Sequence, residues 1–344
     1  MPEPEPTAPA SAHAKCGKIV LLITEDWFAL SHFRPLISLL TEMAASVVVV
    51  TRSSGRLSEI EALGARTLDF DFRRGSNNQA AAALVAVRLA RLIKRERPDV
   101  VHLIAMKPIV LGGLALRLAA VPHVVVHITG QGLAAIATDP ILRLYRFAML
   151  RVLASLVRKV APNLGPRFAI LGGAGVDPDA FPALPPPQHA VPVAAHVGRM
   201  IRSKGIDLLM QAYERLLADG VRLRLDLYGS SDSDNPEAVP PQEILAWCQR
   251  TGAHWYGPVR DVAAVWKGAD VFVLASRGVE GLLVPPGDAA ALSAALKSLA
   301  GDADRRCRLG QAARRRLLEG FTEEHVRGTL RASYAALLAG DDGA

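Results

Sequence analysis

The chain has 344 residues, 50% hydrophobic and 21% charged, which excludes wholesale disorder and collagen-like or coiled-coil architectures. Its length points to two domains, and an aromatic content of 5% argues against a nucleic-acid binder that works by base stacking. The formal charge of +7 is uneven: residues 1–190 carry 21 Lys+Arg against 14 Asp+Glu, and residues 191–344 carry 19 of each. The first half is therefore expected to meet an anionic partner (a phosphate-bearing ligand, a membrane surface or nucleic acid), with plain solubility as the alternative.

Residues 1–17, rich in Pro, Ala and Glu, read as a disordered tail without signal-peptide character, and the chain as cytoplasmic. Lys18–Thr24 is a short apolar run suited to a strand buried on both faces. The pattern then predicts a helix over Ser31–Met43, a strand over Val47–Thr51, a helix over Leu57–Leu63 and a strand over Arg66–Asp69. A helix over Gln79–Arg95, stopped by Pro98, precedes a strand over Val100–Ile104. A helix over Ile109–Ala119, a strand over Val124–Ile128 and a long helix over Ile141–Val160 complete this series. Its alternation is the mark of βαβ units and a parallel sheet.

Pro178, Pro182, Pro185, Pro186, Pro187 and Pro192 make residues 176–192 a semi-rigid linker. A second alternating series follows: strands at Val193–Val197, Leu223–Tyr228, Trp255 and Val271–Leu274, with helices at Ile206–Leu217, Pro241–Arg250 and Val262–Lys267. Helices over Ala289–Leu299, Asp304–Leu318 and Glu323–Leu338 end the chain. The expected fold is α/β, two doubly wound Rossmann-like domains over residues 18–175 and 193–320. A C-terminal helix lies within 321–344, with a crossing back to the first domain left open. Ligands of such sheets bind beyond the carboxyl ends of the strands.

Three cysteines, Cys16, Cys248 and Cys307, form no Cys-x-x-Cys pair, so neither a disulfide framework nor a cysteine zinc site is expected. The strongest local signal is Val197–Gly205, VGRMIRSKG, between a strand and a helix. Gly198 permits a tight turn and Gly205 opens the helix, leaving Arg199 and Lys204 where helix amides already favour anions. A diphosphate clamp and a solvated basic turn are equal alternatives on this chemistry. Gly130-Gln131-Gly132 after a strand raises a dinucleotide reading, but the acidic ribose partner is missing near Arg151. A glycine loop at a strand end fits better than an NAD-dependent oxidoreductase. Asp26, His32 and Arg34 follow the first strand, while His102, Lys107 and His127 lie at or beyond two others. Together they are candidate contacts for a polar acceptor. Each alone has a structural alternative, a helix cap at Ser31 for the first group and a core histidine for the second. The long helix over 141–160, with five basic residues among apolar ones, reads as a core helix or as one lying on anionic lipid.

HVGRMIRSKGIDLLMQAY, GADVFVLAS, EGLLVPPGDAAAL and GAGVDPDAF together resemble the family 4 glycosyltransferases of GT-B fold. TEDWFALSHFRPLI, HLIAMKPIVLGGLALRLAAV and ITGQGL are similar to members that extend polyprenyl-diphosphate-linked sugars in surface polysaccharides. The resemblance implies a retaining glycosyltransferase with a UDP-sugar donor in the C-terminal domain. It implies an acceptor on the N-terminal domain, no bound metal or cofactor, no nucleic acid, and a peripheral place at the membrane's inner face. It carries donor binding to Gly198, Arg199, Lys204, Gly229, Val259 and Arg260, with Arg199 and Lys204 stabilising the leaving diphosphate. Acceptor binding falls to Asp26, His32, Arg34, His102, Lys107, His127, Gly130 and Gly132. The family's glutamate-rich donor segment has no counterpart here, because Ser276–Gly281 runs directly into LLVPP. A second shortfall lies near Pro162–Gly165. A catalytically dead remnant that still binds acceptor or membrane is therefore the alternative.

Overall fold

A computed structural model describes residues 16–72, 79–129, 171, 173–187, 189–231, 235, 237–275 and 282–338. The chain divides into two compact units, one of residues 1–175 with 323–344, the other of residues 176–322.

In the first unit, β1 (Cys16–Glu25), β2 (Ala44–Arg52), β3 (Arg66–Asp69), β4 (Val100–Ile104) and β5 (His123–His127) form a parallel sheet ordered β3-β2-β1-β4-β5. Strand β1 is central, so both faces are apolar. Ile19, Leu21 and Ile23 enter one core, with α1 (Asp26–His32) and α2 (Arg34–Met43). Val20 and Leu22 enter the opposite core, with α4 (Gln79–Glu96) and α5 (Met106–Leu116). The short α3 (Leu57–Glu61) leads into β3. The expected helix over Ser31–Met43 is two helices. Pro35 stands in the first turn of α2 and supplies no N–H to a continuing helix, so the chain breaks at Phe33, with φ −126° and ψ 12°.

The second unit holds β6 (Val193–Val197), β7 (Arg224–Tyr228), β8 (His254–Trp255) and β9 (Val271–Phe272), parallel in the order β8-β7-β6-β9. Helices α6 (Ile206–Ala218), α7 (Pro241–Thr251), α8 (Val262–Lys267), α9 (Ala289–Ala300) and α10 (Ala303–Gly320) accompany it. Its core joins Leu225 and Leu227 to Leu209, Met210, Leu216, Leu292 and Leu296. Among the described residues, no strand pairs with the outer edge of β9.

The last helix, α11 (Glu323–Leu338), belongs to the first unit. Val326, Leu330 and Tyr334 recur at helical spacing on one face and are buried in the core beside α2. Arg327 clamps Glu42 through two hydrogen bonds of 2.7 Å. The expected helix over 141–160, the join at Ser276–Gly281 and the stretch around Pro162–Gly165 lie outside the described residues.

Candidate functional site

The second unit gathers its sequence-predicted residues at the carboxyl ends of its strands. Gly198 follows β6, and its N–H donates to the Tyr228 carbonyl at 2.9 Å. Gly229 follows β7 at φ +141°, and its N–H donates to the Gly257 carbonyl at 2.7 Å. The Trp255 indole N–H then donates to the Gly229 carbonyl at 2.9 Å. A Cβ on Gly229 would fall 1.8 Å from the Gly198 carbonyl oxygen, so backbone approach here demands glycine. Glycine is equally required at Gly205, with φ +72° and a Cβ position 2.3 Å from the Ala275 carbonyl oxygen. Four strand ends and a helix start are thereby drawn together.

Helix α6 starts at Gly205 without a side-chain cap, which leaves first-turn amides for a ligand. Arg199 is exposed and Lys204 half-buried beside that start. Arg202, in the same turn, is committed to Glu243 at 3.1 Å, whereas Lys204 makes no ion pair among the described residues. Beneath the turn lies fully buried His196, whose Nδ1 meets the Val273 carbonyl at 3.0 Å and must therefore carry the proton. Burial holds its pKa below the ordinary histidine value, the Val273 bond opposes this, and the Lys204 charge adds to the lowering. A neutral imidazole thus supports a cationic turn. Val259 and exposed Arg260 follow β8, where Asp261 caps α8 by accepting from the Ala264 N–H at 3.0 Å. Uncapped amides, two cations and glycine-only backbone approach are what a diphosphate needs.

The first unit places its candidates differently. Asp26 is fully buried, and its carboxylate accepts from the N–H of Trp27 at 2.6 Å, Ser54 at 2.7 Å and Arg56 at 3.0 Å, and from the Ser54 hydroxyl. Burial raises its pKa, but hydrogen bonds from Ser54, Arg56 and Trp27 outweigh that and leave it lowered. Asp26 pins the loop after β2, a role that leaves it no reach to an acceptor. His102 is likewise buried, against expectation. It points into the core with Val100 and Ile104, and its Nδ1 lies 2.7 Å from the Tyr334 hydroxyl of α11. Desolvation, then the His127 charge, push its pKa down to about 3.

His127 ends β5, half-buried, stacked on His102 at 5.6 Å and edge-on to Phe33 at 5.2 Å. Burial lowers its pKa too. Exposed His32 sits 4.9 Å from the Phe28 ring, with Nδ1 2.6 Å from the Ser31 hydroxyl. Ser31 lies inside α1 and caps nothing. Arg34 pairs loosely with Glu59 at 3.5 Å, and Lys107 lies in the first turn of α5. Gly130 and Gly132 lie outside the described residues. Sequence reasoning missed Ala105, the residue between β4 and α5, at φ 68° and ψ 166°. That region is essentially reserved for glycine, so strain is stored at this strand end. It missed Tyr334 too, because nothing local ties it to His102.

Among the described residues, no group of three or more His, Cys, Asp or Glu could hold a metal ion, and no helix is long and apolar enough to cross a membrane.

Residues 18–162 match the family "Glycosyl transferase 4-like", and residues 191–281 match "Glycosyl transferases group 1". Sucrose-phosphate synthase of Thermosynechococcus elongatus superposes with a TM-score of 0.71 at 17% identity, over 94% of this chain and 100% of that one. Anabaena HepE, solved in complex with UDP-glucose, gives 0.67 at 14% identity, over 93% and 99%. A glycogen synthase of Thioalkalivibrio sulfidiphilus is 37% identical over 93 residues, 27% of this chain. The match spans 19% of that curated protein and, for a second glycogen synthase, 24%. A glycosyl transferase 4-like segment thus lies in the first unit and a group 1 segment in the second, and the chain has the GT-B fold.

Proposed function

We propose that the chain is a retaining glycosyltransferase that moves a sugar from a UDP-sugar, held by the second unit, to a lipid-linked or surface-glycan acceptor met by the first. The carrying observation is the uncapped start of α6 flanked by Arg199 and Lys204, with Gly198 and Gly229 bringing bare backbone to the same place. As the glycosidic bond breaks, negative charge builds on the departing diphosphate. Fixed amides and two cations stabilise that charge without reorganising. Gly198, Gly229, Val259 and Arg260 are the proposed donor contacts. The UDP-glucose complex of HepE supports the donor class. On the acceptor side the reading keeps His32, Arg34, Lys107 and His127, and the basic first half supports a phosphorylated acceptor at an anionic membrane surface.

Arg199→Ala and Lys204→Ala test this in a transfer assay with UDP-sugars and a polyprenyl-diphosphate sugar. Each is expected to lose about 10²-fold or more in kcat. Full rate in both, with an active parent, would sink the clamp assignment.

The dead-remnant reading is favoured by one observation, the direct run of Ser276–Gly281 into Leu282 without a glutamate-rich segment. UDP at 100 times its Kd stabilises a binding protein by about 2.7 kcal/mol. Stabilisation by UDP without any transfer selects the remnant, and transfer dismisses it.

A further inference from the structure

At the amino ends of the first sheet's strands, away from the candidate site, lies a groove of about 400 Å³ lined by Arg66, Leu68, Arg91, Leu92, Arg95 and Glu96. Arg91 and Arg95 stand one turn apart on α4, both exposed, and neither forms an ion pair among the described residues. Glu96 is the one carboxylate of the lining, and it is already shared between Arg66 and Lys18. Burial works against its charge, but those two cations hold its pKa below the usual value. It stays ionised and occupied, and does not neutralise Arg91 and Arg95. The floor is apolar, since Leu68 and Leu92 pack onto the core beneath. Exposed Leu84 and Arg88 continue the same α4 face away from the groove.

Three guanidinium groups around one cavity repel one another, and an anion relieves that repulsion. Guanidinium forks favour phosphate oxygens, gripped in pairs. The cavity is of small-molecule size, at the lower end of about 300–1,000 Å³, and its leucine floor offers nothing to a bare hydrated phosphate. We propose that this groove binds a phosphate group carried on an apolar chain, the headgroup and first methylenes of an anionic lipid. The site is independent of sugar transfer and stands if the chain transfers nothing.

The test is calorimetry of the full chain with monomeric dihexanoyl-phosphatidylglycerol, and with inorganic phosphate as headgroup-only probe. R91A/R95A removes the two uncommitted cations from an exposed face. R308A/R315A removes the same charge from exposed positions of α10. The short lipid is expected to bind at least about tenfold tighter than phosphate, because the leucine floor adds apolar burial. R91A/R95A is expected to weaken it about tenfold or more, and R308A/R315A less than about twofold. Absence of lipid binding, phosphate binding as tightly as lipid, or equal loss in both double variants each overturns the proposal.

Discussion

Replacing Gly229 by alanine is the sharpest perturbation of the proposed donor turn. At φ +141° an L-residue is strained by about 1–3 kcal/mol before any contact is counted. The new Cβ would also fall 1.8 Å from the Gly198 carbonyl oxygen and 2.7 Å from its carbon. Neither side yields easily, because the Gly198 N–H holds Tyr228 at 2.9 Å and the Gly229 N–H holds Gly257 at 2.7 Å. A total near 3–5 kcal/mol follows, in the range of the more severe single substitutions. Gly220→Ala is the matched control. Its φ is +71° and nothing lies within 4 Å of the new methyl, so only backbone strain of about 1–2 kcal/mol remains. Urea unfolding of both variants gives the difference directly, and UDP calorimetry reads the displacement of Arg199 beside Gly198. If Gly229→Ala unfolds within about 0.5 kcal/mol of Gly220→Ala, the close approach is wrong.

Three further outcomes are expected. His102 titrates near 6.5 when unfolded and at about 3 when folded, so only the unfolded state takes up a proton below pH 6.5. Stability then falls from pH 6.5 downward, by about 2 kcal/mol at pH 5, and His102→Asn should flatten that loss in urea titrations; an equally steep loss in the variant points elsewhere. Asp26→Asn puts an amide among the donors of Trp27, Ser54 and Arg56 and should cost roughly 2–4 kcal/mol, read as a lowered urea midpoint; an unchanged midpoint refutes the pinning role. Ala105→Gly should stabilise by about 1 kcal/mol, the reverse of the usual sign, because φ 68° with ψ 166° suits glycine; destabilisation would show that the strain is not there.

The strands and helices were legible because parallel strands buried on both faces are continuous apolar runs, as in Ile19–Ile23 and Val47–Val50. The turn at Gly198–Gly205 was legible because its chemistry is local. What escaped reading depends on distant partners. Asp26 looked like a polar residue at a strand end, yet Ser54 and Arg56, which donate to it, are 28 and 30 residues away on another loop. His102 looked like a site residue, yet its partner Tyr334 is 232 residues away on a helix that returns to the first unit. Ala105 carries no sign of its backbone conformation, since alanine fits almost anywhere except where it stands. Pro35 was a readable break, overridden by a helical apolar pattern running through it.

Net charge was a poor guide to where an anion belongs. The first half holds the whole +7, yet the proposed diphosphate seat lies in the second half, whose charges cancel. What makes that seat is local: helix amides left uncapped at Gly205, a lysine without an ion pair among the described residues, and glycine where backbone must nearly touch backbone. Arg202, two residues from Lys204, shows the contrast, since Glu243 already takes its charge. In the first half the excess instead sits on exposed helix positions such as Arg91, Lys94 and Arg95. Such charge draws an anionic surface or amphiphile to the protein but does not orient a reacting group. Catalytic stabilisation needs fixed dipoles aimed at one place, and the turn between β6 and α6 combines uncapped helix amides with two cations.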